Sequence, residues 1–136
     1  MLIKIFLITL PVFFILDFIW LRVLMRNFYF AEFSPIARRT SRALKPYFPT
    51  ALIGYLIVLS GFTHFVLLPH AGDPLTWDII LEGAFFTFVV NSFFEFLGYS
   101  LIDKWPVKML IVDNFWGFLV GGLVTYIVLT IANKFL

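Results

Sequence analysis

The chain has 136 residues, of which 62% are hydrophobic, 21% aromatic and 13% charged, and it carries a net charge of +2. Soluble domains are about 45–50% apolar and about 25% charged, so this composition excludes one and points to an all-α polytopic membrane protein. Cysteine is absent, which excludes thiolate catalysis and cysteine-paired quinone reductases, and histidine occurs only at His64 and His70, a poor fit to haem held between histidine pairs.

Four apolar stretches carry nearly the whole chain, at residues 2–24, 48–68, 77–102 and 109–136. Each reaches the roughly 20 residues that cross a hydrocarbon core. The expected fold is therefore a bundle of four transmembrane helices forming a single membrane domain. The first stretch is too long for a signal peptide and lacks a small-residue cleavage site, so it reads as a retained helix. It contains Asp17, in a stripe with Phe13, Trp20 and Leu24. Pro11 removes a backbone donor, and a kink is predicted on the outer side of Asp17.

In the first connection Arg38, Arg42 and Lys45 recur at helical spacing, while Phe33, Ile36, Ala37 and Leu44 lie largely elsewhere on the wheel. This predicts a short amphipathic helix at the interface, bracketed by Pro35 and Pro46. Anionic lipid headgroups would attract it by about 1 kcal/mol per basic residue. The plainer alternative is that these charges only enforce topology. Near the far end of the second span stands His64, at the depth expected for Glu82 early in the third. The two could meet there and share a hydrogen bond or a proton, although a lone satisfied histidine is the preferred reading of His64 over a metal or relay role.

Along the third span Thr87, Asn91 and Glu95 follow at intervals of four and form a polar stripe that Gly98 extends. Glu82 points away from that stripe by roughly 140–180° at 3.6 residues per turn. In the fourth span Asp113, Gly117 and Gly121 share a face, with Asn114 beside the acid as a further polar candidate. Gly117 and Gly121 are spaced G-x-x-x-G, which lets helix backbones approach closely. Trp20, Trp105, Trp77 and Tyr47 fall near span ends, where amphipathic rings belong.

Eight of the ten Lys and Arg residues (Arg22, Arg26, Arg38, Arg39, Arg42, Lys45, Lys104 and Lys108) lie in or beside the first and third connections. Lys4 and Lys134 alone lie on the opposite side. The positive-inside bias then places those connections in the cytoplasm and both termini outside. At roughly 1.5 Å per residue, Asp17 and Asp113 lie roughly 7–8 Å in from the basic end and Glu95 roughly 12 Å. A carboxylate at a helix centre costs roughly 2.5–3.5 kcal/mol, so acids at this depth are functional candidates and usually face the bundle interior. Three ionised carboxylates at one depth would repel, so the cluster needs a proton, a cation or a basic side chain to balance it. An oxygen-only site suits a hard cation over zinc or haem iron. Alternatively Arg22, Arg26 or Lys108 could snorkel in and pair with the acids.

The run Leu16-Asp17-Phe18-Ile19-Trp20-Leu21, followed late in the chain by Trp105-Pro106, Asp113 and Trp116-Gly117, resembles the domain-of-unknown-function 2177 family of small bacterial membrane proteins. The likeness covers nearly the full chain, and the closing motif is its specific part. It implies four helices and an inner-membrane location and supplies no reaction. One departure stands out. The family's tyrosine–aspartate pair is Phe94-Glu95 here, and its threonine–asparagine is Leu97-Gly98.

The functional reading is a carboxylate-lined site of Asp17, Glu95, Asp113, Asn91 and Asn114 that binds a cation, a proton or a lipid headgroup. The alternative is an accessory subunit of a larger membrane complex, or a homo-oligomer, docking through the Gly117/Gly121 face. A small dimeric exporter ranks lower because the charge bias fixes one orientation. A membrane enzyme also ranks lower, since no nucleophile–base or phosphotransferase motif appears. The bilayer is the expected environment, no nucleic-acid partner is expected, and the sequence names no cofactor.

Overall fold

A computed structural model describes residues 1–136 as helices and turns, with no strand. Helix α1 (Leu2–Phe18) runs through Pro11 and continues as a wider π-helical turn over Ile19–Leu24. A short helix, α2, follows at Arg26–Phe33. Helix α3 (Phe48–Phe62) likewise passes into a π-helical turn at Thr63–Leu67 and a tight turn at Leu68–His70. Helices α4 (Trp77–Leu101) and α5 (Met109–Phe135) are unbroken. Four segments are long and apolar enough to cross a membrane: Leu2–Leu24, Phe48–His70, Trp77–Leu101 and Met109–Phe135.

Helix α5 is the centre of the bundle. Its buried residues Trp116, Gly117, Val120, Gly121, Val124, Thr125, Val128 and Leu129 recur in pairs every fourth position. That spacing gives a stripe wide enough to touch several neighbours. On one side it meets α4 through small residues. A Cβ placed on Gly121 would collide with the Thr87 hydroxyl and the Gly83 carbonyl, and one on Gly83 with Thr125. The Thr87 hydroxyl also donates to the Gly117 carbonyl across this seam. Gly117 and Gly121 are therefore consumed inside the chain.

On its other side α5 joins Ile5 and Phe13 of α1 and Leu59, Phe62, Val66 and Leu67 of the second span in one apolar core. The fully buried core residues of helix α3 begin at Leu59; before it only Tyr55 packs, half-buried, against that core. The helix meets α4 through Phe62 and Phe86, whose ring centroids are 5.5 Å apart. Toward the basic end α3 stands apart from α4, and a cavity occupies the space.

Three expectations fail locally. Residues 38–45 are not helical. They form a hairpin turn with a single bridge between Arg39 and Leu44, in which the Thr40 Oγ1 accepts from the N–H groups of Arg42 (3.3 Å) and Ala43 (3.1 Å). Such a side-chain-to-backbone turn competes directly with the helix that the charge spacing suggested. The connection's helix is instead α2, which ends just before Ser34-Pro35, where Pro35 brings no N–H to continue the helical ladder.

In the first span the inward stripe of Phe13, Asp17, Trp20 and Leu24 is broken by the wider turn at Ile19–Leu24, on the basic side of Asp17. Its i→i+5 bonding breaks the spacing of four, so Leu24 is exposed while Phe13 and Asp17 are buried. Lastly, His64 is exposed and packs edge-on against Phe65, 4.8 Å between ring centroids. The partner of Glu82 is His70, at 2.6 Å.

Candidate functional site

Each of the three acids is received by aromatic N–H or O–H groups. The two oxygens of Asp17 accept from Trp116 Nε1 (3.0 Å) and from the Tyr55 hydroxyl (2.5 Å). Asp113 Oδ1 accepts from the Tyr29 hydroxyl (3.0 Å), which itself accepts from Trp20 Nε1 (2.9 Å). Glu95 Oε2 accepts from Trp105 Nε1 (2.8 Å). The Trp20 and Trp116 rings stack at 4.6 Å and 3°, joining the Asp17 and Asp113 arms. Tyr29 is the buried residue of α2, so that short helix is anchored to the floor of the site. Burial, and then the Asp113 charge, push its hydroxyl above the usual phenol range, and it stays a donor.

Glu95 is 0% exposed, and its second oxygen, Oε1, has no N–H or O–H donor. The Asp113 carboxyl is its neighbour across the seam between α4 and α5. Two carboxyl groups so placed hold together only with a proton or a cationic donor between them. Asn91 sits one turn away and donates its Nδ2 to the Asp113 backbone carbonyl at 3.0 Å, fixing α4 against α5 at this level.

The bases expected to neutralise the cluster go elsewhere. Arg22 donates to the Leu44 carbonyl (3.2 Å), Arg26 to the Arg42 carbonyl (3.4 Å), and Lys108 pairs with Glu32 (3.7 Å). Arg38 lies over the Tyr47 ring, 5.2 Å from its centroid. No ion pair involves Asp17, Glu95 or Asp113.

Acids and arginines nevertheless face one space. A cavity of about 780 Å³ between α1, α3, α4 and α5 is lined by Asp17, Glu95, Asp113 and Asn91. Arg22, Arg26 and Arg38 border it on the connection side, and Phe13, Val58, Val90 and Val120 form part of its apolar wall. Ligand pockets run to about 300–1,000 Å³, mostly apolar with a few placed polar groups.

Other candidates lie apart from this space. Asn114 turns toward α4, accepting from Ser92 (3.2 Å) and donating to the Leu110 carbonyl (2.6 Å). Arg42 and Lys45 are exposed on the hairpin. His64 and Glu82 belong to the far end of the bundle. No group of three or more His, Asp or Glu side chains converges closely enough to hold one metal ion.

Tyr29 and Tyr55 carry no mark in the sequence beyond being hydroxyls near the basic end. Trp105 and Trp20 read there as interfacial rings, whereas Trp105 is buried and both are donors. A usable signal existed for Trp116, which lies three residues after Asp113 and so on the same helical face.

Taken together, fold and site define a four-span helical membrane protein with a carboxyl-floored cavity at its basic end. The chain belongs to the family described as predicted membrane protein, domain of unknown function DUF2177, whose family model matches residues 2–130. No curated protein and no solved structure matches it.

Proposed function

We propose that the chain is a membrane binding protein whose cavity receives the headgroup of an amphiphile, with Asp17, Glu95 and Asp113 as its floor. The observation that carries this reading is that all three acids, Asn91 and three arginines line one cavity with apolar walls. The positive-inside bias places that cavity in the cytoplasmic half of the membrane, with both termini on the other side. An amphiphile from that leaflet has its route where α3 stands apart from α4.

A headgroup fits better than a metal. Ca²⁺ takes about 6–8 oxygen ligands and Mg²⁺ demands six in near-ideal octahedral geometry, but both Asp17 oxygens already accept from protein donors. The accessory-subunit alternative loses its named surface, since Gly117 and Gly121 are occupied by Asn91, Thr87 and Gly83 of the same chain.

Gly54 lines the cavity, and a Cβ there would have nothing within 4 Å. Gly54→Trp therefore adds an indole at the cavity wall from a position where the Cβ itself meets nothing. Native mass spectrometry of protein purified in mild detergent should find a retained amphiphile on the parent chain and not on Gly54→Trp. Equal retention by the two, or none on the parent chain, overturns the reading.

A further inference from the structure

We propose that Arg22, Arg26 and Arg38 form a phosphate site at the mouth of the cavity, and that its occupant is an anionic phospholipid. This rests on the amphiphile reading above and names the chemistry of the headgroup. The three arginines come from separate elements: Arg22 from the π-helical turn, Arg26 from the start of α2 and Arg38 from the first arm of the hairpin. The second arm gathers them. Arg22 donates to the Leu44 carbonyl (3.2 Å) and Arg26 to the Arg42 carbonyl (3.4 Å). Arg38 lies opposite the same stretch, since its carbonyl accepts from the Lys45 N–H (2.8 Å). All three border the cavity, whereas Arg39, Arg42 and Lys45 of that hairpin do not. The positive-inside bias accounts for how many basic residues lie at this end. It does not account for which of them converge on the cavity.

None of the three has a carboxylate partner, although Lys108 finds one in Glu32. A guanidinium presents five N–H donors in a planar fork, and each hairpin carbonyl engages one arginine from one side. Donors of Arg22 and Arg26 are thus left for a second acceptor, and phosphate oxygens match the fork in pairs. Hydrogen bonds between charged partners are roughly twice as strong as neutral ones. Three cations without a counter-ion favour a headgroup of net negative charge over a zwitterion, whose own ammonium competes for the phosphate. Asp17, Glu95 and Asp113 oppose a negative charge moving deeper, so the phosphate stops at the arginines. The apolar wall says how the phosphate arrives. Val58 and Val90 line the same space and give acyl chains a path to the bilayer, a contact from which a water-soluble phosphate gains nothing.

The test compares lipids with identical acyl chains, titrated into the detergent-purified protein and read by native mass spectrometry. Phosphatidylglycerol should bind at least tenfold more tightly than phosphatidylcholine, which is zwitterionic, and than diacylglycerol, which has no phosphate. Arg22→Gln with Arg26→Gln should abolish that preference. Arg38→Gln, which gives up a contact over the Tyr47 ring (5.2 Å), should weaken it and serves as the readout if the double variant fails to fold. Arg42→Gln with Lys45→Gln removes two charges from the same hairpin outside the cavity and should leave the preference intact.

Equal affinity for phosphatidylglycerol and either of the other lipids overturns the anionic phosphate site and leaves the amphiphile reading standing. An equal loss in the Arg42→Gln and Lys45→Gln variant assigns the effect to surface charge at large and overturns the role of the three arginines. A preference that survives in both arginine variants overturns it as well. Glycerol phosphate binding as tightly as phosphatidylglycerol overturns the lipid as the source of the phosphate. Binding of no lipid to the parent chain, or undiminished binding to Gly54→Trp, overturns the amphiphile reading itself.

Discussion

At the scale of single residues, neutral aromatic donors hold the acids in place of basic side chains, and this fixes the sign of a substitution. Asp113→Asn keeps an oxygen to accept from Tyr29 and gains an amide N–H toward Glu95, so its melting temperature in detergent should hold or rise. Had Asp113 been paired with a base, the change would strand that charge and cost about 3–5 kcal/mol, so a loss of that size refutes the arrangement. Gly98 yields a second prediction. A Cβ there would lie 2.8 Å from three carbons of the Trp105 indole, so the glycine is what lets that ring lie against α4 and reach Glu95. Gly98→Ala should cost about 1–3 kcal/mol through the lost donor to a buried carboxyl. In a Trp105→Ala background the same change should cost nothing, a coupling that a double-mutant cycle of melting temperatures measures directly. Gly98 thus has a physical role in this chain, as the seat of an indole.

At the scale of elements, the seam between α4 and α5 is set by backbone contact, and neighbouring glycines should respond in opposite directions. An added methyl at Gly121 meets the Gly83 backbone, which no rotamer change can move aside. At Gly122 it would sit 3.5 Å from Ile80 Cγ2 and 3.6 Å from the Ala84 Cβ, ordinary contacts. Gly122→Ala should be neutral or stabilising by up to about 1 kcal/mol, the usual gain for alanine over glycine in a helix. Gly121→Ala should lower the melting temperature clearly, and equal tolerance at both sites would mean the seam is looser than described. The G-x-x-x-G pair and the Thr87–Asn91–Glu95 stripe were legible in the sequence because α4 and α5 are regular, so a spacing of four maps onto one face. Legibility failed where regular spacing failed. The π-helical turn at Ile19–Leu24 rotated Leu24 out of the stripe begun by Phe13 and Asp17, and a threonine-centred turn replaced the helix expected at Arg38–Lys45. Tyr29 and Tyr55 were invisible for a related reason, since each reaches an acid from a different element and only tertiary packing sets such a contact.

At the scale of the whole molecule, four spans and their order could be read from hydropathy alone, because a bilayer leaves the backbone few other ways to satisfy its polar groups. That the three acids would come to one level of the bundle was readable too, as rise per residue converts position into distance, and all three line one cavity. Their relation to one another was not, because which helices adjoin depends on small-residue seams and on how far α3 stands from α4. Orientation is the remaining property, and it decides which leaflet the cavity faces. An even number of spans puts both termini on one side, and the positive-inside bias of the eight basic residues in the first and third connections predicts that this side is outside. The chain has no cysteine of its own, so single replacements report without background. With a membrane-impermeant maleimide, Phe135→Cys should label in intact cells, whereas Ser41→Cys, on the exposed hairpin, should label only after permeabilisation. The reverse pattern would turn the arginine-bordered mouth to the outer leaflet, and the cavity would then draw its occupant from the lipids of that leaflet instead.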